Sequence, residues 1–144
     1  MSEGNRVVRA TNTVLVVEDE PAVCTVMQDQ LIDVGYEATC VNNDAAAYRE
    51  LAARRFAAIL VDINLGRGTT GFDVARYARR IDPKVAVVYV TGSSAESVAV
   101  HGVRGAIMVS KPFDRTDLLN ALEESGVKQP VSSGSGANGD SPLQ

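Results

Sequence analysis

The chain has no tryptophan, one histidine and only two cysteines among its 144 residues. A lone His101, followed by glycine, cannot supply a His/Cys metal cluster and reads as a helix end or loop residue, not a phosphotransfer histidine. Cys24 lies in a helical pattern and Cys40 in a strand pattern, without metal-ligand spacing or a secretory context, so both are expected to be small core residues. Long apolar runs are missing too: Val85-Ala86-Val87-Val88-Tyr89-Val90 falls far short of the roughly 20 residues a membrane span requires. Residues 1–6 lack an apolar signal segment, which makes export unexpected and a cytoplasmic location the expectation. There is also no excess of positive charge. A net charge of −4 argues against a general nucleic-acid or anionic-membrane surface and favours partners of basic or mixed charge.

What is present is the material of one domain. The polar residues 1–11 read as a flexible lead, residues 12–126 as a single folded unit, and residues 127–144, rich in serine and glycine, as a disordered tail too poor in apolar groups to offset ordering entropy. Thr13-Val14-Leu15-Val16-Val17 is a short apolar run of the kind found in strands covered on both faces. It breaks into Glu18-Asp19-Glu20-Pro21, suited to a first helical turn, after which Val23, Val26, Met27, Leu31 and Val34 recur near helical period up to Gly35. Tyr36 to Val41 reads as a second strand, and Asn42-Asn43-Asp44 offers cap chemistry for a helix through Ala47, Tyr48 and Leu51.

Ala57-Ala58-Ile59-Leu60-Val61-Asp62 is a third strand that delivers a lone carboxylate at its end. The glycine-studded loop Gly66-Arg67-Gly68-Thr69-Thr70-Gly71 leads to an amphipathic helix carrying Phe72, Val74, Ala75, Ala78 and Ile81, stopped by Asp82-Pro83. Val85–Val90 is a fourth strand ending at Thr91-Gly92. Ser93 and Glu96 have capping-box spacing for a short, weakly amphipathic helix that ends near His101-Gly102. Ala106 to Val109 is a fifth strand, followed by Ser110-Lys111-Pro112-Phe113, and Asp114 caps a last helix that ends at Ser125-Gly126. Arg54-Arg55 and Arg76, Arg79 and Arg80 read as solvated helix ends.

Five alternating strand–helix units imply a parallel sheet with helices on both faces. Ligands of such sheets bind outside the carboxyl ends of the strands, where the strand order reverses. In the flavodoxin-like order 2-1-3-4-5, Glu18-Asp19 and Asp62 meet at that point, flanked by Thr91 and Lys111. Clustered carboxylates repel one another, and a hard cation with oxygen ligands removes the penalty. Mg²⁺ suits a site of this kind, often completed by a phosphate. Thr91 and Lys111 are placed to hold phosphoryl oxygens, which leaves Asp62 as the nucleophile.

Glu18-Asp19, Asp62, Thr91 and Lys111-Pro112-Phe113, in this order, closely resemble the receiver domain of two-component response regulators over roughly residues 12–126. The resemblance implies that Glu18 and Asp19 are the acidic pair, with Asp19 the more direct Mg²⁺ ligand. It implies that Asp62 is phosphorylated and is itself a metal ligand, that the Asn64 backbone carbonyl is a third ligand, and that Thr91 is the switch hydroxyl. Lys111 contacts the phosphoryl group, and the Lys111-Pro112 bond is cis. Receivers often carry Tyr or Phe three residues before the lysine, where this chain has Met108. Tyr89-Val90-Thr91-Gly92 is similar to the aromatic-x-Thr-Gly signature of a subgroup of alphaproteobacterial single-domain receivers with a reduced fourth helix, so Tyr89 or the fourth-helix segment is expected to carry the switch. Gly66 stands where many receivers have proline, and a mobile loop is expected there.

The expected function is a stand-alone phosphorylatable switch. A sensor histidine kinase, a histidine phosphotransfer protein or a small acyl phosphate donates to Asp62 with Mg²⁺ present, and output passes through a protein partner or by draining phosphoryl groups from the kinase. The chain is expected to be a monomer or weak dimer and to catalyse only its own phosphorylation and dephosphorylation. The alternative is a Mg²⁺-dependent phosphatase on the same fold, disfavoured because strand one does not end in Asp-x-Asp and no substrate-enclosing cap is evident. A flavin module is disfavoured because Glu18-Asp19-Glu20 would repel the phosphate.

Overall fold

Thr13–Val17 (β1), Ala58–Asp62 (β3) and Ala86–Thr91 (β4) are near-continuous apolar runs because each strand is buried on both of its faces. Glu37–Val41 (β2) and Ile107–Ser110 (β5) are less buried and lie at the sheet edges. In the computed structural model, which describes residues 12–65, 70–92 and 95–130, these strands form one parallel sheet in the order β2-β1-β3-β4-β5. This is the doubly wound, flavodoxin-like fold that the alternation implied.

Pro21–Ile32 (α1), Asp44–Ala53 (α2), Gly71–Ile81 (α3), Ala95–His101 (α4) and Arg115–Glu124 (α5) make the crossovers. Successive strand residues point to opposite faces, which splits the core in two. Val14, Val16, Leu60, Val88 and Val90 face α1 and α5 and pack with Met27, Leu31, Leu118 and Leu122. Leu15, Val17, Ile59, Val61, Val87 and Tyr89 face the other layer, where α2 and α3 supply Leu51, Phe72, Val74 and Ala78, and Val98 of α4 packs beside them. The fourth helix is short, as expected, at 7 residues.

Local chemistry sets the helix ends. The Asn43 side chain accepts from the Ala46 amide at 2.8 Å to start α2. Thr70 with Asp73, and Asp114 with Asp117, form reciprocal capping boxes at the starts of α3 and α5. Each such cap contributes about 1 kcal/mol. Gly35 adopts a φ of 101° while the Tyr36 amide reaches back to the Leu31 carbonyl at 3.1 Å, a left-handed closure of α1 that a side chain at Gly35 would strain.

Three expectations are corrected. Cys24 and Cys40 are not separate core thiols: they are joined in a disulfide with a Cα–Cα distance of 6.0 Å. The cause is the register. Cys40 pairs with Val16, whose side chain faces α1, so Cys40 and the inward face of α1 meet over one patch of sheet. Val26, counted above on the apolar stripe of α1, is 53% exposed. Val127, assigned to the tail by composition, is buried against the α1/α5 core, and its amide bonds to the Leu122 carbonyl at 3.0 Å. The proposed lead over 1–11, the loop from Gly66 to Thr69, the Ser93 cap and the tail from 131 onward lie outside the described residues.

Candidate functional site

Register delivers the site. Val17 pairs with Val61, Asp62 with Val90, and Thr91 with Ser110, so β1, β3, β4 and β5 end together and Glu18, Asp62, Thr91 and Lys111 emerge along one edge. Their side chains, with Asp19, Glu20, Asn64 and Gly92, line an open cleft of ≈ 570 Å³. A larger groove of ≈ 810 Å³ between α2 and α3, lined by Tyr48, Asp73, Arg76, Tyr77 and Arg80, contains none of the expected site residues.

Asp62 is 5% exposed and Glu18 1% exposed, while Asp19 faces solvent. One carboxylate oxygen from each of Glu18, Asp19 and Asp62 falls within a span of 4.8 Å. The Lys111 ammonium donates to Asp62 Oδ2 at 2.9 Å and to Glu18 Oε1 at 3.3 Å. The Asn64 amide donates to Asp62 Oδ1 at 2.9 Å, and the Glu20 amide to Glu18 Oε2 at 3.2 Å. Thr91 is buried beside them, and its carbonyl accepts from the Lys111 amide at 2.9 Å. The Lys111-Pro112 bond is cis.

Burial pushes the Glu18 carboxyl up to about 7. The Glu20 amide opposes this, the Asp62 charge adds to it, and Lys111 opposes it again. Burial works to lower the Lys111 pKa, but the hydrogen bond and charge of Asp62, followed by those of Glu18, outweigh it and hold the ammonium above its ordinary value. Of the three clustered carboxylates, Lys111 pairs with Asp62 and Glu18, and Glu18, the most buried, resists ionisation. An oxygen-seeking divalent ion relieves that repulsion, so the donor set fits Mg²⁺.

Residues 14–123 match the response regulator receiver domain family. The chain belongs to that family. Receiver domains are signalling domains of two-component systems and bind Mg²⁺ at an acidic site, with which the Glu18, Asp19 and Asp62 cluster is compatible. The response regulator receiver protein CpdR of Brucella abortus is 32% identical over 113 residues, covering 77% of this chain and 93% of CpdR. The nitrogen assimilation regulatory protein NtrX of Azorhizobium caulinodans is 34% identical over 113 residues, which cover 76% of this chain but 25% of NtrX. A crystal structure of a receiver protein from Sinorhizobium medicae aligns with a TM-score of 0.74 at 32% identity, over 78% of this chain and 92% of that one. The receiver domain of the sensor kinase PA1611 of Pseudomonas aeruginosa, solved with magnesium in its cleft, gives a TM-score of 0.68 at 26% identity, over 81% of this chain and 99% of that one.

Several residues of this receiver escaped sequence reasoning. Asn42 Nδ2 donates to the Glu18 carbonyl at 2.9 Å, and the Glu18 amide bonds to the Val41 carbonyl at 3.1 Å, so the end of β2 fixes the acidic turn. Gly71 packs so closely under Asp62 that a Cβ there would collide with the Asp62 carbonyl oxygen. In the sequence Asn42 and Gly71 carry only cap and turn chemistry, and no local pattern marks either contact.

Tyr89 is fully buried beside Phe72, ring centroids 5.1 Å apart, and lies opposite the half-buried Met108 in the β4–β5 ladder. Its hydroxyl accepts from the Val103 amide at 3.1 Å. Arg76 donates to the His101 carbonyl at 3.1 Å and Arg79 to the Arg104 carbonyl at 2.8 Å. Two of the arginines read as solvated helix ends therefore join Tyr89 in holding the segment between α4 and β5.

Proposed function

We propose that Asp62 is the phosphoryl acceptor of this receiver. The observation that carries the reading is the 2.9 Å contact of Lys111 Nζ with Asp62 Oδ2 in a cleft that also holds Glu18 and Asp19. An Asp62 carboxylate oxygen attacks phosphorus, the bond from phosphorus to the donor's imidazole nitrogen or acyl oxygen breaks, and the leaving group departs with the electron pair. A bound Mg²⁺, held by Glu18, Asp19, Asp62 and the Asn64 carbonyl, supplies charge neutralisation for the phosphoryl oxygens. Lys111 keeps one phosphoryl oxygen paired as it leaves its contact with the free carboxylate. Thr91, buried at the cleft wall, donates its hydroxyl to another.

The donor is a sensor histidine kinase or a histidine phosphotransfer protein in the cytoplasm, with small acyl phosphates as substitutes. Signal leaves through Thr91 and Tyr89. These two residues lie on one side of β4, and the Tyr89 hydroxyl bond to Val103 links movement at Thr91 to the α4–β5 segment. Output passes to a protein partner that prefers the phosphorylated form, or the chain drains phosphoryl groups from its kinase.

Intact-mass measurement after incubation with acetyl phosphate and Mg²⁺ tests the reading. One added phosphoryl group on the native chain, absent with chelator and absent in Asp62→Ala, is expected. The same gain in Asp62→Ala would refute it.

A further inference from the structure

The chain's two cysteines are brought together beside the acidic turn. Cys24 lies on the buried face of α1, shortly after Glu18-Asp19-Glu20, and its exposure is 0%. Cys40 is half-buried on β2, an edge strand, immediately before Val41 and Asn42. Those next two residues are the ones that hold the backbone of Glu18, through the Val41 carbonyl and the Asn42 side-chain amide. The disulfide therefore ties the helix that follows the acidic turn to the strand that fixes the turn, with a sequence separation of 16 between the two sulfurs.

We propose that Cys24 and Cys40 form a reversible thiol–disulfide pair whose oxidation state sets how firmly Glu18 and Asp19 are held for the metal. This inference rests on the reading of those two acids as metal-holding groups. Access decides the order of events. Cys40 is the reachable sulfur: its thiolate attacks a low-molecular-weight disulfide such as oxidised glutathione, forming a mixed disulfide and expelling one glutathione thiolate. The Cys24 thiolate then attacks the Cys40 sulfur and expels the second glutathione thiolate. Two protein thiols become one disulfide, and their two protons pass to the two expelled glutathione thiolates, so that one glutathione disulfide is reduced to two thiols. Excess glutathione reverses the sequence by attack at the Cys40 sulfur.

The physical consequence is preorganisation. Glu18 and Asp19 are carboxylates crowded against Asp62, and in the reduced chain only non-covalent contacts hold α1 and β2 around their turn. The cross-link removes part of that freedom before the metal arrives, so less ordering remains to be done on binding. The oxidised chain is expected to bind Mg²⁺ about threefold more tightly than the reduced chain, in keeping with a modest preorganisation effect.

The test has two readouts on the full chain. The first is alkylation of free thiols under denaturing conditions, after equilibration of the folded chain in glutathione buffers of increasing oxidised fraction and acid quenching, followed by intact mass. The expected result is a transition from two alkyl groups to none, with no glutathione retained and no change in oligomeric state. Two free thiols at every ratio, or a stable glutathione adduct, would overturn the proposal. The second readout is calorimetric titration of each form with Mg²⁺ alone. Tighter binding by the oxidised form supports the coupling, and equal affinities in the two forms would overturn it. Cys40→Ser, at a half-buried position, is expected to bind Mg²⁺ like the reduced chain and to show no response to glutathione. If it does not fold, Cys24→Ala serves the same comparison. Absence of Mg²⁺ binding in both forms would instead overturn the reading of the acidic site itself, while the alkylation result still decides the pair.

Discussion

Lys111 and Asp62, separated by 49 positions in the sequence, meet at 2.9 Å at the carboxyl edge of the sheet. The same ammonium reaches Glu18 at 3.3 Å, so among the described residues lining the cleft it is the one side-chain cation, and it pairs with two of the four carboxylates there. Lys111→Met keeps much of the apolar stem and removes the charge. It is expected to lower the rate of phosphorylation by acetyl phosphate by about 100-fold, the scale of losing one preorganised charge-stabilising group. A time course of phosphoprotein formation followed by mass checks this; an unchanged rate would mean that Lys111 has no part in the transfer.

Gly71 is required by close approach. Because a methyl group there would strike the Asp62 carbonyl oxygen, Gly71→Ala is expected to displace the end of β3 and cost about 1–3 kcal/mol, as overpacking does. Denaturant unfolding measures the cost, and phosphorylation of the folded variant should be slowed as well.

Much of this architecture was legible in the sequence, and the reasons are physical. Central strands of a doubly covered sheet must be apolar on both faces, so Leu15 and Val16, or Leu60 and Val61, announce themselves as runs. Asp114 satisfies its own helix start locally, with Asp117 answering it in the structure. Once the strand order was inferred, the ends of β1, β3, β4 and β5 had to converge, which placed Glu18, Asp62, Thr91 and Lys111 together. Contacts set by three-dimensional register were not legible. Cys24 and Cys40 look unrelated in the chain and meet only because Cys40 pairs with Val16 beneath α1. Asn42 looked like cap chemistry, yet its amide serves the Glu18 carbonyl. Val127 sits in a composition typical of tails, but the turn at Gly126 returns it to the core.

The Tyr89 hydroxyl is the partner of the Val103 amide. Tyr89→Phe keeps the ring against Phe72 and leaves that amide without its acceptor, at an expected cost of about 1–3 kcal/mol. Amide spectra of native and variant chains are expected to differ most over residues 98–106, and the response of that segment to phosphorylation should shrink. An identical response in the variant would remove Tyr89 from the signalling path.

Burial also raises the Tyr89 pKa above its ordinary value of 10.0, against the opposing Val103 hydrogen bond and the charges of Arg76 and Arg79. The folded chain thus holds the phenol proton more tightly than the unfolded chain does. The associated stability is fully present below pH 10 and is lost as pH rises through the folded value. Thermal unfolding followed from pH 9 upward should show this decline, and Tyr89→Phe should decline less steeply. Tyr36 and Tyr48 carry shifts in the same direction, so the slope is reduced in the variant but not abolished.

Asn42→Ala removes the side chain that holds the Glu18 carbonyl without touching the carboxylates. Its expected effect is a several-fold loss of Mg²⁺ affinity, in the range seen for groups that orient metal ligands. Calorimetric titration gives the value directly; unchanged affinity would show that the Val41 contact alone fixes the turn.

The most direct measurement of the central claim is the location of the phosphoryl group. After phosphorylation with acetyl phosphate and Mg²⁺, borohydride reduction converts an aspartyl phosphate into homoserine, which peptide mass spectrometry assigns to a single position. The account predicts that position to be 62, with the label absent when chelator is added. Modification at Asp19, or at any carboxylate other than Asp62, would contradict it.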